Sequence, residues 1–318
     1  MVAAEIRTSH KNSLSLSPLG IGLLYNPALP EFLRSYPEEV DYIEIIPDMF
    51  WTDKGRCSAP RYQETGSWVE LLDEVASQFP LVSHSIGFSI GSAEIFDCQY
   101  LAQIEAWQRR YRFPWHSDHL AFNQVVDVSG TVHNASLGLP VAYDHEVLEM
   151  IADRVRWIQQ TVPVPFLIEN NVHFVEMRDE DMRQAEFLNR LAETACCGLL
   201  LDLHNVYTDE RNNRCDPGKF LEELALTSVI EIHIAGGNEV AGMYTDSHCG
   251  ACPQPVWDLL NYVVPRAPNL CGITFEFHES YYPLLKEEGL LGQISAARKA
   301  WALRPSHIQC PSQRSSAR

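Results

Sequence analysis

The sequence predicts an α/β fold: a TIM-like (β/α)8 barrel folded as a single domain. Three observations lead there. Short apolar runs, rich in β-branched and aromatic residues and bounded by Pro, Gly and Asp, recur eight times. Helical patterns lie between them. Ligand-type polar residues gather at the C-terminal end of most runs, where barrel enzymes carry their chemistry. An open doubly wound sheet is the competitor, but no Gly-rich phosphate fingerprint follows the first strand.

In chain order the expected strands are GIGLLY (20–25), VDYIEIIPD (40–48), PLVSHSIGF (80–88), PWHSDHL (114–120), PFLIENN (165–171), GLLLDLHNVY (198–207), VIEIHIAGG (229–237) and GITFEFHE (272–279). Among the helices, Trp68, Leu71, Leu72 and Val75 keep one face. Val147, Leu148, Ile151, Val155 and Ile158 keep another, with Asp144 placed as a cap, and Phe187, Leu188 and Leu191 a third. Residues 123–141 and 238–253 read as long loops, which in barrels tend to be functional. Residues 1–17 read as a loose N-terminal segment, 18–303 as the barrel and 304–318 as a polar tail.

Bulk properties narrow the function. Of 318 residues, 46% are hydrophobic and 21% charged, a composition that supports a large core. With 24 basic against 42 acidic residues the formal charge is -18, which argues against a nucleic-acid partner. No apolar stretch approaches the roughly 20 residues of a membrane span, and the N-terminus lacks a signal core. A cytoplasmic protein without membrane contact is expected. The nine cysteines are irregularly spaced and do not suggest a disulfide framework. Cys249 and Cys252 form a lone C-x-x-C, a weak signal for redox chemistry or zinc.

The strand ends carry the argument. Glu44 and Asp48 lie near the second, His84 in the third, Asp118 and His119 at the fourth, and Glu169, Asn170 and Asn171 at the fifth. Asp202, His204 and Asn205 end the sixth, His233 the seventh, and Glu276 and His278 the eighth; Asp246 and His248 follow in the seventh loop. A buried His alone is usually a hydrogen-bonded core residue, and an Asp after a strand is usually a cap. The repetition along the chain is what such readings leave unexplained. There is no G-x-S-x-G, and a glycosidase needs two carboxylates but not many imidazoles. Four histidines (84, 119, 233, 248) with four carboxylates (169, 202, 246, 276) suit iron, zinc or manganese. Eight donors exceed one coordination sphere, so two or three ions are implied, with Glu169 able to bridge a pair. A cation also explains how a run such as LLLD tolerates Asp202, since burying an unpaired carboxylate costs several kcal/mol.

The motifs IEIIPDMF, SHSIGF, SDHLAF, LIENN, LLDLHN, IHIAGG, TDSHCG and TFEFHE, in that order between about residues 20 and 285, resemble the multinuclear non-haem iron-dependent oxidative enzymes, relatives of the methanobactin-biosynthesis oxidase MbnB. The resemblance implies a TIM-like barrel with two or three irons, mixed Fe(II)/Fe(III), and O2 as co-substrate. It implies oxidation of a residue, cysteine above all, in a ribosomally made precursor peptide, with a small partner protein that binds the leader peptide. Matched by motif, His84, His119, Glu169, Asp202, His233, Asp246, His248 and Glu276 fall at ligand positions. Asp118 and Asn170 fall behind the ligands or on the substrate side, as Glu44 does more weakly. Two departures stand out: the first strand lacks the R-x-P-H of many members, and His204 replaces the usual Asn or Ser. As Asp202 and His204 are two residues apart, a continuing strand would turn both inward. His204 would then be an added ligand, a proton donor or a spacer. His116 and His278 match nothing and read as structural or rim residues. The competing readings are a divalent-metal isomerase or hydrolase on a xylose isomerase-like barrel, and a non-catalytic metal-binding scaffold.

Overall fold

The computed structural model describes residues 16–175 and 180–305. Apart from residues 16, 17, 304 and 305, the segments expected to be loose lie outside it. Eight parallel strands close into a barrel: β1 (Gly20–Leu24), β2 (Tyr42–Ile45), β3 (Leu81–Ser85), β4 (His116–His119), β5 (Phe166–Glu169), β6 (Gly198–Asp202), β7 (Val229–Ala235) and β8 (Gly272–Glu276). They pair in the order β1-β8-β7-β6-β5-β4-β3-β2, with β2 returning to β1. Helices α1 (Leu29–Ser35), α2 (Gly66–Ala76), α3 (Cys98–Tyr111), α4 (His145–Thr161), α5 (Gln184–Ala195), α6 (Leu203–Arg211), α7 (Pro217–Glu223), α8 (Gln254–Val263) and α9 (Tyr282–Trp301) complete the repeat. Each expected strand is present with a shorter core.

Three expectations are corrected. The sixth strand stops at Asp202 instead of running to 207, because Asp202 caps α6: its Oδ1 accepts the Asn205 backbone N–H at 2.7 Å. On α2 the buried stripe is Val69, Leu72 and Val75, while Trp68 and Leu71 stay 37% and 40% exposed. The helix therefore buries a narrower stripe than its apolar content suggested. The two long loops contain antiparallel hairpins, Ala121–Val126 with Val132–Pro140 and Asn238–Val240 with Met243–Thr245. On α4, Asp144 accepts the Val147 N–H at 2.8 Å, the cap expected there.

Inside the barrel the two-residue period of the strands sorts side chains into layers. The lower layer contains Tyr42, Val82, Leu167, Leu200, Glu231 and Thr274, all buried. Glu231 accepts from Tyr42 Oη (3.0 Å), Trp115 Nε1 (2.6 Å) and Thr274 Oγ1 (2.8 Å), so this interior acid is satisfied by protein donors alone. Tyr42 fits only because its neighbours are small: a Cβ on Gly22 would overlap its ring, and one on Gly272 its hydroxyl. Two residues further along each strand come Glu44, His84, Glu169, Asp202, His233 and Glu276. The sealed lower layer thus forms a floor beneath a layer of ionisable groups.

Glu231→Leu should strand the buried Trp115 indole N–H and one of the two hydroxyls, since Tyr42 and Thr274 can still pair with each other at 2.7 Å. The expected cost is on the order of 3 kcal/mol, read as a lower denaturant midpoint; an unchanged midpoint would show that the floor does not depend on this network.

Candidate metal centre

Barrel closure brings the upper-layer residues face to face. His84 Nε2 and His119 Nε2 each lie 3.3 Å from Glu169 Oε2. His233 Nδ1 lies 3.2 Å from Glu276 Oε2 and 4.0 Å from Glu169 Oε1. His248 Nε2 lies 3.1 Å from Asp246 Oδ1 and 3.5 Å from Glu276 Oε2. Donors about 2.1 Å from one ion lie roughly 3.0–3.4 Å from each other in octahedral or tetrahedral arrangements. Most of these spacings match donors around an ion. Among the described residues, three groups bring their ligand atoms within 4.8 Å of one another: His84/His119/Glu169, Glu169/Asp202/His233 and Glu44/His233/Glu276. Glu169 belongs to two of them.

The protein itself leaves key atoms unsatisfied. Glu169 Oε2, Asp202 Oδ2 and His233 Nδ1 are buried with no hydrogen-bond partner. Burial, with Asp246 and Glu169 adding to it, pushes the Asp202 carboxyl well above the usual carboxylate range, and burial also raises Glu169. Burial pushes His84 well below the usual imidazole value, with His119 and His233 adding to the shift. Burial opposes the charge on His119, but Glu169 and Asp118 outweigh it and hold its pKa at about 10. Burial would raise Glu276, yet His233 and His248 bring it to about 2. Without a cation, the cluster must keep protons on acids and charge on imidazoles. The orphaned atoms and the mixed N/O donor set fit a cluster of first-row divalent ions.

Supporting hydrogen bonds decide which nitrogen each ring turns inward. Ser117 Oγ donates to Ser83 O and therefore accepts from His84 Nδ1 (2.9 Å), which leaves Nε2 facing Glu169. Glu44 accepts from His233 Nε2 at 3.0–3.1 Å and leaves Nδ1 inward, the carboxylate–histidine arrangement that orients metal ligands. Asn170 uses both ends of its amide on Asp202: Nδ2 donates to Asp202 O (2.9 Å) and Oδ1 accepts from Asp202 N (2.8 Å). It braces β6 rather than facing open space. Asp118 accepts from the backbone N–H groups of His119 (2.6 Å) and Phe88 (3.1 Å).

The loop that carries Asp246 and His248 lies against Gly236 and Gly237, where a Cβ would overlap the backbone oxygens of Cys249 and Thr245. His248 has a left-handed φ of 50°, a conformation costing a non-glycine residue about 1–2 kcal/mol. Cys249 and Cys252 are both free thiols. His116 is bonded to Gln108 Oε1 (2.8 Å), and His278 sits exposed at the rim against Ser280.

His204 departs most from expectation. Because the strand ends at Asp202, His204 sits in the first turn of α6 rather than further along β6. It is nonetheless fully buried, with Nδ1 2.8 Å from Asp246 Oδ1. Sequence reasoning did not single out Ser117, Tyr244 or Asn123. Asn205 stood out only as a polar residue in LLDLHN; its Nδ2 donates to Glu169 Oε1 at 3.3 Å. Above the cluster a cavity of about 410 Å³ opens between the 121–140 hairpin and the strand ends, lined by Asp118, His119, Asp246, Asn123, Leu137 and Asn171 among others.

The architecture is that of a (β/α)8 barrel with a candidate metal cluster at the mouth. Solved structures with the same fold include a xylose isomerase-like TIM barrel protein from Mycobacterium smegmatis in complex with magnesium (TM-score 0.53, 13% identity, covering 90% of this chain and 98% of that one). Another is endonuclease IV from Thermus thermophilus (TM-score 0.52, 15% identity, 90% and 98%). Sequence narrows the class: the pattern of the RiPP precursor modification enzymes MbnB/TglH/ChrH matches residues 18–300, and the chain belongs to that family. It is similar to a UPF0276 protein of Caulobacter vibrioides strain NA1000, 28% identical over 291 residues (91% of this chain, 97% of the relative). A UPF0276 protein of Anaeromyxobacter sp. strain Fw109-5 is 31% identical over 264 residues (82% and 87%).

Two outcomes follow from the electrostatics. Divalent-ion binding near pH 7 should release protons, since Asp202 and His119 hold them above their ordinary pKa in the ion-free protein. Apparent affinity should therefore rise with pH, and calorimetric binding enthalpies should vary with buffer ionisation; equal enthalpies in all buffers would contradict the arrangement. Asp202→Asn keeps the α6 cap and removes a buried acid. Metal-free, it should melt no lower than wild type, yet lose much of the roughly 2.7 kcal/mol that an ion at a hundred times its Kd adds.

Proposed function

We propose that the protein is a multinuclear iron-dependent oxidase that uses O2 to modify a residue, cysteine first of all, of a ribosomally made precursor peptide. One observation carries the reading: a family member whose barrel interior presents a layer of converging His, Asp and Glu donors, with buried ligand atoms left unpaired, beneath an open cavity. His84, His119 and Glu169 would hold one ion. Glu169, Asp202, His233 and Glu276 would hold a second, and Asp246 with His248 would take part in these or hold a third. Iron bound there supplies one-electron redox chemistry with O2 and Lewis acidity toward a substrate thiolate.

The chain's own residues do the rest. Ser117 and Glu44 keep the inward nitrogens of His84 and His233 aimed at the centre. The tyrosine- and tryptophan-filled floor excludes water from below. Asn123 lines the cavity, with its Oδ1 buried and without a partner. The strongly acidic chain suits a basic leader peptide or a small partner protein that carries it. Among the described residues no helix is long and apolar enough to cross a membrane, in keeping with a cytoplasmic site of action. A divalent-metal isomerase or hydrolase is the alternative that the shared barrel fold supports.

Protein reconstituted without oxygen should hold at least two irons per chain and should consume O2 in the presence of its precursor peptide. One zinc and no iron in active protein would end the oxidase reading. Glu169→Gln should bring occupancy below two and abolish turnover, whereas retained stoichiometry and activity would remove Glu169 from the centre.

A further inference from the structure

His204 is the polar residue at the centre whose role the donor set leaves open. Its ring is enclosed on every side. Nδ1 lies 2.8 Å from Asp246 Oδ1, the oxygen that also faces His248 Nε2 at 3.1 Å. Nε2 lies 3.4 Å from Tyr244 Oη. A Cβ on Gly237 would come within 2.8 Å of Nε2 and 2.9 Å of Cε1, so the glycine after β7 leaves the space that the ring fills. The α6 turn that carries the ring is itself capped by Asp202.

These contacts fix the chemistry of the ring. A carboxylate cannot donate, so Nδ1 carries the hydrogen toward Asp246, and Nε2 is taken up by the Tyr244 hydroxyl. Neither nitrogen is left for an ion. We infer that His204 is a positioning residue: it holds the Asp246 carboxylate in the orientation that lets Asp246 and His248 bind metal, and it couples that pair to Asp202 through the first turn of α6. The inference rests on the metal-centre reading proposed above, but not on iron or on O2. It also gives a reason why a shorter amide can serve at this position. The Nδ2 of an asparagine sits as many bonds from the backbone as the Nδ1 of a histidine, so the donor survives the loss of the ring.

The test is Co(II) binding to the full chain without oxygen, read by metal analysis after equilibrium dialysis and by the visible Co(II) absorption. His204→Leu keeps bulk and removes the donor; His204→Asn removes the ring and keeps the donor. In the leucine variant, affinity for the most weakly held equivalent should fall about 10–100-fold, the usual effect of losing a residue that orients a ligand, with an altered absorption band. The asparagine variant should stay within about threefold of wild type with the wild-type band. Circular dichroism of the metal-free proteins checks folding, and His204→Ala replaces the leucine variant if that fails to fold. Wild-type stoichiometry and spectrum in the donor-free variant would overturn the inference, as would equal losses in the leucine and asparagine variants, which would mark ring packing as the cause. No Co(II) uptake by wild type would instead sink the metal-centre reading itself.

Discussion

Closing eight short strands into one barrel forces their inward side chains into shared layers, and one of those layers is filled with ionisable groups. Glu44, His84, Glu169, Asp202, His233 and Glu276 stand together, all buried, above the floor. Several carboxylates at such spacing cannot all ionise without compensation. Much of the surrounding structure can be understood as a response to this one problem.

Two interior acids on neighbouring strands, Glu231 of β7 and Asp202 of β6, solve it differently. Glu231, in the floor, has its hydrogen-bonding capacity met by Tyr42, Trp115 and Thr274. Asp202, one layer higher, uses one oxygen to cap α6 and keeps the other unpaired. The contrast separates an acid that completes the fold from an acid that awaits a ligand. It also explains why the floor needs glycines at 22 and 272: the tyrosine that satisfies Glu231 requires their missing side chains.

Around the centre, orientation is set by residues that carry no conspicuous chemistry. Ser117 turns His84, Glu44 turns His233, and Asn170 locks the end of β6 to β5. The loop after β7 is shaped by Gly236 and Gly237, whose lack of side chains lets Asp246 and His248 fold back over the strand ends. The hairpin between Ala121 and Pro140 walls the cavity above. A rigid lower barrel and a mouth built from loops is the division of labour expected where binding and chemistry share one face.

The sequence by itself determined the barrel and the order of its strands, because eight apolar runs with polar C-termini allow few other architectures, and the family, through the resemblance of its ordered ligand motifs. The cap at Asp144 was equally legible, since capping is local. Tertiary structure decided what depends on contacts between distant strands: that Glu231 is hydrogen-bonded by three partners, that Ser117 sits behind His84, and that the long loops form hairpins. It also decided the end of β6. Three leucines followed by D-L-H-N-V-Y fit a continuing strand and a new helix equally well, and the apolar pattern cannot separate them. The choice falls to the Asp202 carboxylate, which bonds the Asn205 N–H, begins α6 and carries His204 around to Asp246. A strand position would have turned that imidazole into the barrel interior beside Asp202. The helical turn places it behind the carboxylate instead, because the two-residue period of the strand gives way to 3.6 residues per turn one residue earlier.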